Sequence, residues 1–113
     1  MTVLERFLKY VKVDTQSVED VENFPSSEKQ KNLGRMLLEE LRELGAADTV
    51  MDENGYVYAK LPATDGGKET KTIGFLAHMD TSPDASGEGV QPQIFSNYDG
   101  GDILLNEEKH IVL

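Results

Sequence analysis

Leu4, Phe7, Leu8 and Val11 recur at the three- and four-residue spacing of a helix, with Glu5, Arg6 and Lys9 between them. Thr2 stands three residues before Glu5 and completes a capping box, so the pattern predicts a helix over residues 3–11. The stretch VDTQSVEDVENFPSS is rich in turn formers and acids, and Pro25 opposes any helix running through it, which makes it a loop. Ser27 and Gln30 form a second capping box. A stripe of Leu33, Leu37, Leu41 and Leu44 follows, widened by Met36 and Leu38, and Gly45 stands where a left-handed helix stop belongs.

Beyond Gly45 the period becomes extended. TVMDENGYVYAKL predicts a hairpin of strands 49–51 and 56–61 turning at Asn54-Gly55, while LPATDGGKETK reads as a polar surface connection. Residues 72–77 are apolar on both faces except for Thr72, the pattern of a central strand covered on both sides. That strand would deliver His78 and Asp80 to its carboxyl end. Residues 81–102 read mainly as loop, with a short strand around Ile94. ILLNEEKHIVL predicts a hairpin turning at 106–109 that sets 103–105 against 110–113. The fold class expected is α/β: two helices on a small mixed β-sheet holding the first hairpin and the 72–77 strand, in one domain over 1–113. The final HIVL has no polar cap and leaves an open strand edge with exposed apolar surface. This implies lost sequence or a covering partner, including self-association through that edge.

Composition narrows the chemistry. The 113 residues suit a single core, and 21 Asp and Glu against 11 Lys and Arg give a net charge of −10, which opposes binding to a phosphate backbone. Nucleic acid is therefore not an expected partner. With no cysteine, disulfides and thiolate metal sites are excluded, and any metal must be held by His, Asp or Glu. Neither a basic and apolar leader nor a run of roughly 20 apolar residues is visible, so a cytoplasmic protein without membrane contact is the expectation.

The candidate chemistry lies in GFLAHMDTSPD. Side chains two apart on a strand share a face, so His78 and Asp80 can meet at one site. A neutral imidazole is a good zinc ligand, and a carboxylate accepting its other N–H fixes the tautomer. The carboxyl ends of strands are also where open α/β sheets collect ligands. The pattern alone better suits an ordinary strand end that needs no metal, and a catalytic zinc wants three ligands where this chain has only one further histidine, His110. His110 reads as a surface residue of the last hairpin. Asp99-Gly100-Gly101-Asp102 lacks calcium-loop spacing and reads as a solvated turn, and Gly87-Glu88-Gly89 lacks the context and lysine of a phosphate loop. Ser26 and Ser27 read as capping residues rather than nucleophiles.

GFLAHMDTSPD and NYDGGDI, with YVKVDTQS near the start and NGYVYAKLPAT before the 72–77 strand, closely resemble the zinc-dependent family of aminopeptidases and deacylases. That family includes tripeptide aminopeptidases, acetylornithine deacetylase and succinyl-diaminopimelate desuccinylase. The resemblance runs along essentially the whole chain and covers only the amino-terminal part of a family member. It implies the amino-terminal portion of a zinc-peptidase catalytic domain, with His78 as a zinc ligand and Asp80 as the catalytic-site residue that orients it. For a complete enzyme it implies two zinc ions, a glutamate general base and a tripeptide substrate losing its first residue. The family's other ligands, its general base and its lid and dimerisation domain have no counterpart in this sequence. The chain is thus expected to be an inactive fragment. The alternative is a self-contained binding or assembly module that keeps the fold without catalysis.

Overall fold

A computed structural model describes residues 1–64, 66–67 and 71–113. Two helices, α1 (Val3–Tyr10) and α2 (Gln30–Glu43), precede two antiparallel pairs of strands, β1 (Ala47–Met51) with β2 (Val57–Lys60), and β3 (Leu104–Asn106) with β4 (Ile111–Val112). The α/β class and both helices agree with the pattern of the sequence. The sheet differs: in place of one mixed sheet there are two separate two-stranded ones.

Local chemistry explains most of the boundaries. The Glu5 amide donates to Thr2 Oγ1 at 3.2 Å and the Thr2 amide to Glu5 Oε2 at 2.6 Å, closing the capping box of α1. The box expected at α2 does not form, because the Ser27 hydroxyl donates to the Gln16 carbonyl at 2.7 Å; Lys29 occupies the cap without a side-chain bond. The helix stop is as expected. Gly45 has φ +79°, its amide donates to Arg42 O and that of Ala46 to Leu41 O, a Schellman ending. In the first hairpin Asp52 Oδ1 accepts the amides of Asn54 and Tyr56, and Gly55 takes φ +90°.

The core is small. Helix α2 lies on the β1–β2 hairpin, close enough at Gly34 that a Cβ there would stand 3.0 Å from Met51 Sδ. Leu33, at 7% exposure, is the one buried apolar side chain among the described residues. Helix α1 has no buried residue, and a polar knot ties it to α2. Glu40, whose side chain is 8% exposed, receives Arg6 Nε at 3.4 Å, Lys9 Nζ and the Tyr10 hydroxyl.

Residues 72–77 differ most from expectation. They form no strand and make no backbone hydrogen bond among the described residues, and Ile73, Phe75 and Leu76 are 75%, 95% and 97% exposed. The apolar pattern is that of a covered strand, but no described element supplies either cover or a pairing edge. No strand forms around Ile94 either. The terminal hairpin is present, with Ile103 and Leu113 exchanging both backbone hydrogen bonds at 3.1 and 2.9 Å. Part of the polar connection expected over 61–71 lies outside the described residues. Among the described residues no helix is long and apolar enough to cross a membrane.

Candidate functional site

The loop after α1 and the segment after Asp80 are sewn together. Gln16 and Thr81 form an isolated parallel bridge: the Ser17 amide donates to Thr81 O at 3.0 Å and the Thr81 amide to Thr15 O at 3.3 Å. The Ser17 hydroxyl adds a bond to Thr81 O at 2.9 Å, and Gln16 Nε2 reaches Pro83 O and Ala85 O at 3.0 and 2.9 Å. Behind this seam Asp14 accepts the Gln16 amide at 3.0 Å and pairs with Lys29 at 2.8 Å. The hydrogen bond from Lys29, with that from the Gln16 amide, holds the Asp14 carboxyl below its usual range. Thr15 is buried in the seam. Gly87 closes it from the other side, where a Cβ would stand 2.8 Å from Asp14 Oδ1.

His78 and Asp80 come together directly before this seam. His78 Nδ1 lies 3.1 Å from Asp80 Oδ1, with the two side chains 85% and 41% exposed. An ionised carboxylate only accepts, so Nδ1 is the donor, and in a neutral ring this leaves Nε2 the lone pair that could bind a Lewis acid. The two side chains lie together although the backbone that carries them is not the strand from which the spacing argument started.

A catalytic zinc needs three protein ligands and an open position. Among the described residues no three His, Asp or Glu side chains are gathered for a metal, so these residues alone do not fit a complete centre. They offer one oriented imidazole. His110 lies in the last hairpin's turn with φ +50°, exposed, as expected of a surface residue. Asp99 Oδ1 accepts the Gly101 amide at 3.1 Å, which makes 99–102 a turn closed by its own acid.

Sequence reasoning missed Asp14, Thr15, Gln16 and Glu40. Glu40 carried a signal: it falls seven residues after Leu33, an acid set within the apolar stripe of α2. Gln16 carried none, since its partners lie 67 and 69 residues away.

Comparison with known proteins leads to peptidases. No family model matches the chain. Over 111 residues, 98% of the chain, it is 57% identical to peptidase T of Clostridium acetobutylicum and 52% identical to that of Bacillus subtilis, and over 112 residues it is 55% identical to peptidase T of Alkaliphilus oremlandii. Along nearly its whole length the chain is therefore similar to the amino-terminal part of peptidase T. It spans 27% of the length of these curated relatives.

Proposed function

We propose that this chain is the amino-terminal portion of the catalytic domain of a peptidase T-like, zinc-dependent tripeptide aminopeptidase and is inactive without the rest of that domain. The observation that carries the reading is the His78–Asp80 pair, already hydrogen-bonded at 3.1 Å in a chain 51–57% identical to peptidases T. In the whole enzyme His78 would give Nε2 to a metal, and Asp80 would hold the ring in the tautomer that makes this possible. The bound metal would polarise a peptide carbonyl and acidify a water. The base and the remaining ligands would come from outside these 113 residues.

The test is a chimera in which residues 1–113 replace the matching part of the Clostridium acetobutylicum enzyme. Zinc-supported tripeptide turnover should survive the exchange, vanish with His78→Ala and fall about 10–100-fold with Asp80→Ala. Full activity in His78→Ala, or turnover by the 113-residue chain alone, would refute the reading.

One observation favours a second reading, a non-catalytic assembly module. The backbone of 72–77, unpaired among the described residues, and its exposed apolar side chains suit addition to another strand, and self-association dependent on Phe75 is its signature.

A further inference from the structure

We propose that Gln16 is a positioning residue for the His78–Asp80 pair, acting through the turn that the chain makes directly after Asp80. The pair is poorly placed to order itself. The His78 side chain is largely in solvent and that of Asp80 partly so, the Asp80 carboxylate has only His78 as partner among the described residues, and residues 72–77 before it make no backbone hydrogen bond there. Met79 between them borders Pro25, Gln30, Lys31, Asn54 and Gly55, and the hydrogen-bonded support of the pair lies on its carboxyl-terminal side.

On that side Gln16 ties the turn beyond Thr81 to the loop after α1. Gln16 is engaged at three groups: its amide donates to Asp14, its carbonyl accepts from Ser27, and its side-chain nitrogen donates to both Pro83 O and Ala85 O. Two carbonyls converging on one terminal group require the NH2 end of an amide, which carries two hydrogens. Glutamate has the same length and no hydrogen to give. The backbone bonds of Thr81 to Thr15 and Ser17 flank this bridge and fix the residue next to Asp80. The consequence for metal binding rests on the proposed peptidase reading; the effect of Gln16 on the pair does not.

The experiment uses the 15N-labelled, metal-free 113-residue chain at one neutral pH, with long-range proton–nitrogen spectra showing which ring nitrogen of His78 carries the proton. The wild type should be predominantly Nδ1–H. In Gln16→Glu the ring should shift to the Nε2–H form of an unconstrained imidazole, while amides in α2 and the β1–β2 hairpin keep their wild-type positions. Gly87→Ala, which sets a methyl 2.8 Å from Asp14 Oδ1, strains the same seam from its far side and should shift the ring likewise; it decides the matter if Gln16→Glu does not fold. Leu33→Val loosens the core without touching the seam and should leave the ring unchanged. Unchanged His78 signals in the folded seam variants overturn the assignment, as does an equal shift in Leu33→Val. Because neither metal nor peptide is present, the result stands apart from whether the chimera cleaves tripeptides.

Discussion

Glu40 shows how one side chain can do what a core does elsewhere. Its carboxylate takes hydrogen bonds from Lys9, Tyr10 and Arg6, and these, led by Lys9, hold its pKa below the ordinary 4.5. A carboxyl lowered in the folded state adds stability that is complete above its unfolded value and is lost as pH falls through the folded one. Burial, reinforced by Glu40, pushes the Tyr10 hydroxyl from 10.0 up to about 12, so its contribution is lost as pH rises through that interval. Arg6 and Lys9 are partly exposed and regain water when the carboxylate goes, which keeps the cost of losing it moderate. Glu40→Gln should cost about 1.5–3 kcal/mol at neutral pH. It should also flatten the acid limb of stability, leaving the shares of Asp14 and Glu5, whose carboxyls are likewise lowered. Urea unfolding at a series of pH values reads both effects; an acid limb as steep as in the wild type would contradict this account.

At the scale of elements, what was legible in the sequence was what neighbours in sequence decide. Thr2 and Glu5, and Gly45, each act within a few residues, and the helix ends they mark are where the residues implied; the first hairpin also lies where Asn54-Gly55 placed it, but its loop is wider, closed by Asp52, and β2 begins at Val57 rather than residue 56. The 103–113 hairpin was legible for the same reason. Ser27 was misread because its hydroxyl bonds the distant Gln16 carbonyl rather than the start of α2. Residues 72–77 were read from a true apolar pattern, but a strand exists only with a partner, and pattern says nothing of where one lies. The seam around Gln16 was illegible because its contacts are distant and its residue types ordinary; only the His78–Asp80 spacing of the site was local enough to be seen. The Gly45 stop can be tested directly. Nothing lies within 4 Å of a Cβ placed there, so Gly45→Ala meets no clash and isolates the cost of φ +79°. About 1–2 kcal/mol of destabilisation in thermal or urea melts is expected, and a neutral result would mean that the helix ends equally well in another conformation.

The whole molecule is more open than its length requires. Its radius of gyration is 18.0 Å, where a compact domain of this size has about 13 Å. Ile73, Phe75 and Leu76 stand in solvent, and only Leu33 is buried among the described apolar side chains. If apolar residues 72–77 pair between copies, sedimentation should show mass growing with concentration, and Phe75→Lys should weaken association by at least about tenfold; a monomer at every concentration in the wild type would remove the assembly reading. The seam has a further consequence, in the order of folding. Its side-chain bonds join residues 64 to 69 apart, against 12 for the Asp48–Lys60 pair of the first hairpin. Closing the longer loop costs about 1.5 kcal/mol more chain entropy, and no fully buried apolar side chain of the described residues lies in the seam to reward it. Helix α2 and its hairpin are therefore expected to form before the seam, and the histidine with its aspartate to be set after them. On warming, the same pair should come loose before the helix and hairpin do, which His78 ring signals broadening below the melt of the α2 amides would show.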